Sequence, residues 1–71
     1  MKIEQIGDEN GDMLYGIEIE YKTKKGKLIS GLIEFNQFQL SKDGLYLLVY
    51  KNLEWRGAFP VDEIENIDVL F

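Results

Sequence analysis

Two short stretches bring together the residue types that recognise single-stranded RNA. Phe35-Asn36-Gln37-Phe38 sets two amides between two aromatic rings, and Tyr50-Lys51-Asn52 sets a cation between a phenol and a third amide. Amides read base edges, a lysine meets phosphate, and a ring stacks on a base. The candidate RNA-binding residues are therefore Asn36, Gln37, Phe38, Tyr50, Lys51 and Asn52. The same residues also have a purely structural reading, with Asn36 and Asn52 as turn residues, Lys51 solvated and the rings buried. A second group, Trp55, Arg56 and Phe59, holds types enriched at interface hot spots and is the candidate protein-binding surface. In so small a chain, however, Trp55 is expected in the core.

Catalytic chemistry has little to work with. There is no cysteine and no histidine, so thiol nucleophiles, Ser–His pairs and imidazole bases are excluded. The same absence excludes disulfides and Cys/His metal sites. The acidic loop Gly7-Asp8-Glu9-Asn10-Gly11-Asp12 clusters carboxylates, but a calcium loop needs glycine at its sixth position and glutamate at its twelfth. Counted from Asp8, glycine arrives fourth and the twelfth residue is Ile19. Glu18 and Glu20 share one face of a strand pattern, where water is the expected neighbour. The reading is a chain that is not an enzyme and needs no cofactor or metal.

Charge is unevenly spread over a net −5. Residues 1–20 set Lys2 against six carboxylates, residues 21–56 carry seven basic groups against three acidic ones, and residues 57–71 carry four acidic groups. Overall acidity argues against tight, nonspecific duplex binding. A local basic surface is compatible with it.

The elements that would position these residues are strands. In residues 15–22 a period of two puts Ile17, Ile19 and Tyr21 on one face and Glu18, Glu20 and Lys22 on the other. Residues 28–35 place Ile29, Gly31, Ile33 and Phe35 together. Residues 45–51 are apolar on both faces, which predicts a strand covered on both sides. Residues 55–61 read as a shorter strand. The tail closes on another, with Ile67, Val69 and Phe71 on one face. Residues 1–12 read as a short strand and a turn. Asn10-Gly11, Lys25-Gly26, Asp43-Gly44 and Asn52 mark reversals. Pro60 belongs at a strand end, and residues 61–66 suit one 3₁₀ turn. Gly31 and Gly57, inside strand patterns, suggest bulges or sharp coiling. No run approaches the roughly eighteen apolar residues of a membrane span, and residues 1–10 lack the apolar segment of a signal peptide. A cytoplasmic address and no membrane partner are expected.

Five or six short antiparallel strands in one small domain, residues 1–71, predict an all-β, SH3-like barrel. A chain this short buries only roughly 60% of the surface it exposes when unfolded, so its core is thin. With disulfides and metal excluded, oligomerisation is the remaining familiar support.

The stretch from Gly26 to Leu40, followed by Leu47–Asn52, resembles the Sm-like family that includes the bacterial Hfq proteins. Members carry a glycine, a Phe-Asp-Gln-Phe-like turn and, about a dozen residues later, a Tyr-Lys-His-like segment. Here these are Gly31, Phe35-Asn36-Gln37-Phe38 and Tyr50-Lys51-Asn52, with eleven residues between the last two. The resemblance covers residues 15–52 at most, and Asn36 and Asn52 stand where the family has aspartate and histidine. It implies a strongly bent small barrel assembled edge to edge into a ring that binds RNA around its pore. Asn36, Gln37, Phe38, Tyr50 and Lys51 would surround or support that pore. The leading expectation is therefore a non-catalytic RNA-binding module working as a homo-oligomer. The alternative is a small acidic adaptor or inhibitor that occupies a basic surface of a larger protein partner.

Overall fold

The computed structural model describes residues 1–9 and 11–71, with Glu9 described by its backbone alone. Six strands follow one another: β1 (Ile3–Glu9), β2 (Asp12–Lys22), β3 (Leu28–Phe35), β4 (Gln37–Leu40), β5 (Tyr46–Lys51) and β6 (Glu54–Pro60). Two 3₁₀ turns, Val61–Glu63 and Ile67–Leu70, complete the chain. The strands form two antiparallel sheets of three, ordered β1-β2-β3 and β4-β5-β6, and no ladder joins them into a closed barrel among the described residues. No helix is long and apolar enough to cross a membrane among those residues.

The alternating pattern sets the register. Ile3, Ile17 and Ile33 form one row across the first sheet, and Phe38, Val49 and Gly57 form one across the second. The core lies between the sheets and consists of Ile3, Ile17, Phe35, Leu47, Val49 and Ile64. Asn36 is the corner where the chain passes from one sheet to the other. It separates β3 from β4, and its N–H donates to the Tyr50 carbonyl at 3.0 Å, so the β5 ladder begins at the bend itself.

The turns occur where glycine and asparagine were expected. Gly26 (φ 82°) and Gly44 (φ 76°) adopt the left-handed conformation that a side chain disfavours. The expected Asn10-Gly11 turn lies partly outside the described residues. The two register shifts fall at Ile6 in β1 and Arg56 in β6. Gly57 adjoins the second of these, whereas Gly31 pairs with Ile19 in an unbroken ladder.

The tail departs from the strand that its pattern predicts. The Asn66 amide accepts from Ile3 N–H and donates to the Ile3 carbonyl, both at 2.8 Å, and Glu65 N–H donates to the Met1 carbonyl at 2.8 Å. One side chain thus satisfies the outward backbone groups of Ile3, at the start of β1, that another strand would have taken. Beyond it the chain coils into a 3₁₀ turn that lays Ile67, Val69 and Leu70 on the core. Strand β5 is fully covered on one side only, with Leu48 and Tyr50 half-buried on the other. Leu47 and Val49 are fully buried, whereas Tyr46 on the opposite face is 44% exposed.

Candidate binding surfaces

The Phe-Asn-Gln-Phe bend and the β5–β6 turn meet at one corner. A two-residue turn with both central residues at positive φ suits the twist of a hairpin. Here those residues are Asn52 (φ 51°) and Leu53 (φ 71°). Three side-chain bonds clamp this turn to the bend. Asn36 Nδ2 donates to Asn52 Oδ1 at 3.1 Å, Asn52 N–H donates to Asn36 Oδ1 at 3.1 Å, and Leu53 N–H donates to Gln37 Oε1 at 2.7 Å. Lys51 Nζ lies 3.3 Å from Glu34 Oε1.

Five of the six residues expected to contact RNA thus gather at this corner, but much of their polarity is directed at one another. Asn36 engages Asn52 through both of its side-chain polar atoms. Phe38 turns inward instead, with edge contacts to Tyr15, Phe35 and Phe71 at centroid distances of 6.1, 6.3 and 5.7 Å. Tyr50 accepts a hydrogen bond from Gln39 Nε2 at 3.3 Å and meets Trp55 edge-on at 5.7 Å.

The second predicted group divides. Phe59 is half-buried opposite Leu47, and Arg56, the extra residue of the β6 bulge, lies 3.4 Å from Glu54. Trp55 is 58% exposed, not in the core. The bulge places it opposite Tyr50, on the outer side of the sheet.

That outer side was not evident from the residue pattern. Cross-strand partners project from the same face of a sheet. The outer rows are therefore Gln37–Tyr50–Trp55, Gln39–Leu48–Ala58 and Tyr46–Pro60, none of which contains a charged residue. The signal of this face is the doubly apolar pattern of residues 45–51, which on its own predicts cover on both sides. The next rung, Lys51–Glu54, projects from the opposite face, where Lys51 reaches Glu34 of β3, and Arg56 lies beside Glu54 at that end.

The remaining candidates stay scattered. Glu18 and Glu20 are exposed on β2, and no group of three or more metal-ligating side chains forms among the described residues. Asp43 accepts from Ser41 Oγ at 2.6 Å and from Leu45 N–H at 3.0 Å, and these bonds hold its carboxyl below the usual aspartate range. Comparison of the chain with known protein families, curated proteins and solved structures finds no match.

Proposed function

We propose that this chain is a non-catalytic binding module that docks onto a partner protein through the outer face of β4-β5-β6. The observation that carries this reading is the charge-free aromatic surface centred on Trp55 and Tyr50. Interface cores are depleted of charge and enriched in tyrosine and tryptophan, with charged residues at the rim. Leu53 adds to the argument. It holds a left-handed conformation that is costly for leucine, and it is 83% exposed beside this face. Strain and apolar exposure at one residue have no stabilising purpose in the isolated chain. The two sheets, hinged at Asn36, are read as an open SH3-like or Sm-like barrel.

The test is capture of partners by tagged chain, comparing wild type with Trp55→Ala and with Glu20→Gln on the other sheet. A partner identified by wild type and Glu20→Gln and lost by Trp55→Ala supports the reading. Equal capture by all three proteins, or none by wild type at low salt, refutes it.

An RNA-binding ring is the second reading, supported by the convergence of Asn36, Gln37, Tyr50, Lys51 and Asn52 on one corner. It requires a homo-oligomer in solution, and weaker RNA binding when Gln37 and Lys51 are replaced. The mutual bonding of Asn36 and Asn52 is why the protein-docking reading is preferred.

A further inference from the structure

We infer that the tip of the β2–β3 hairpin is a binding site for single-stranded nucleic acid, separate from both surfaces described above. Lys22, Lys24, Lys25 and Lys27 fall within six residues, and all four are exposed. They are half of the eight basic residues in a chain of net charge −5. Among the described residues none of the four is drawn into an ion pair. Glu20, one rung back on the Lys22 face, is the nearest opposing charge along the ribbon and pairs with Ser30. Solubility does not call for these lysines, since without them the chain would be more strongly acidic.

The fold projects this tip outward. Strand β1 pairs with β2 only as far as Ile17, so Ile19–Lys22 has β3 as its sole partner. The chain measures 40 × 29 × 22 Å with a radius of gyration of 12.7 Å, against about 11 Å for a compact domain of this length. A two-stranded ribbon is marginal in isolation. The turn is nonetheless well built. Thr23 N–H donates to the Lys27 carbonyl, Gly26 N–H to the Thr23 carbonyl and Lys27 N–H to Thr23 Oγ1, at 2.9, 2.9 and 3.1 Å. Its backbone is satisfied without any lysine side chain.

Charge complementarity selects a polyanion. The acidic β1–β2 turn lies at the other end of β2, which at about 3.3 Å per residue is some 33 Å away. That exceeds three Debye lengths of about 8–10 Å, so the β1–β2 turn does not oppose a polyanion at the tip; the nearer carboxylates, Glu4, Glu18, Glu20 and Glu65, line a groove behind the tip with Ser30 and Gly31. Tyr21 selects among polyanions. Its ring is 52% exposed at the base of the lysine-bearing turn, on the ribbon face opposite Lys22, where a base can stack on it. The phosphates of one strand then meet the ammonium groups, and an unpaired base meets the ring.

The experiment is fluorescence anisotropy of a labelled oligouridylate titrated with the full chain at several salt concentrations. Four phosphate contacts on a single strand give a log–log salt slope of about −2.8, and Lys24→Gln/Lys25→Gln should reduce it to about −1.4. Lys2→Gln/Lys42→Gln, which removes the same charge elsewhere, should leave it unchanged. Tyr21→Ala should weaken binding about tenfold with little change in slope, and Tyr21→Phe should restore it. Gln37→Ala should have no effect, which separates this site from the corner. Circular dichroism checks that each variant is folded. No binding at low salt overturns the inference, as does equal weakening by the two lysine pairs. An unchanged Tyr21→Ala affinity, or capture by anionic phosphatidylserine vesicles but not by the oligonucleotide, also overturns it.

Discussion

Asn36 and Asn52 bond to each other twice across the corner of the molecule, side chain to side chain and backbone N–H to side chain, both at 3.1 Å. Sixteen positions separate them in sequence. The pair ties the bend between the sheets to the turn between β5 and β6. Asn36→Ala removes both bonds and leaves the partner groups to water. Each is worth about 0.5–1.5 kcal/mol, so a loss of about 1–3 kcal/mol is expected. For a domain of this size 1 kcal/mol shifts Tm by about 4–8 °C. An unchanged melting curve would mean that the pair does not form in solution.

Leu53 yields a prediction of opposite sign. At φ 71° with 83% of its surface exposed, it has backbone strain and little packing to offset it. Leu53→Gly creates the Asn-Gly pair preferred in two-residue hairpin turns. The relief of about 1–2 kcal/mol exceeds the extra backbone entropy of glycine by a few tenths to about 1 kcal/mol. Thermal denaturation should show a higher Tm. If the docking reading holds, the same variant should capture less partner, so stability and binding would move in opposite directions.

Much of this architecture was legible because one period governs it. Alternation along residues 15–22 and 28–35 placed Ile17, Ile33 and Phe35 inward, and the reversals at Gly26, Gly44 and Asn52 were marked by residues that tolerate positive φ. Three features were hidden, none of them encoded in local alternation. Ile67, Val69 and Phe71 alternate as a strand would, but Asn66 binds the backbone of Ile3 and diverts the tail into a 3₁₀ turn. Trp55 faces outward because Arg56 is an extra residue opposite the Val49–Tyr50 step. The Asn36–Asn52 pair turns candidate RNA-reading amides toward each other. Local periodicity carries no information about a bond to a residue sixty positions away.

The aromatic cluster around Phe35 and Phe38 is graded by burial. Phe35 is fully buried and stacks on Tyr15 at 5.4 Å, whereas Phe71 is 71% exposed and touches Phe38 edge-on. Phe35→Ala should cost about 3–5 kcal/mol, enough to unfold a marginal domain. Phe71→Ala should cost no more than the roughly 0.5–1.5 kcal/mol of one aromatic pair. Urea denaturation distinguishes them. Similar losses in both variants would mean that the tail is packed more deeply than this arrangement allows.

Asp43 predicts a pH dependence. The hydrogen bond from Ser41, then that from Leu45 N–H, lowers its folded-state pKa. A carboxyl with a depressed folded pKa stabilises above its unfolded value, near 3.9, and loses that contribution as pH falls through the lower folded value. The contribution is small because the group is exposed. Asp43→Asn should therefore melt slightly below wild type at neutral pH, with the difference disappearing once the pH falls below the lowered folded-state value. A gap that widens on acidification would reverse the sign of the argument.

Trp55 is the only tryptophan, so its emission reports on one surface alone. At 58% exposure the indole should be readily quenched by acrylamide in dilute solution. Replacing it with alanine removes chiefly the edge contact to Tyr50, worth about 0.5–1.5 kcal/mol, so the variant should fold and melt within several degrees of wild type. A captured partner should shield the indole from quencher in proportion to occupancy and give no shielding when Tyr50→Ala abolishes binding. Quenching that remains unchanged at saturating partner would place the contact elsewhere on the chain. An indole already protected in the free, dilute protein would mean that this face of the sheet is covered before any partner arrives.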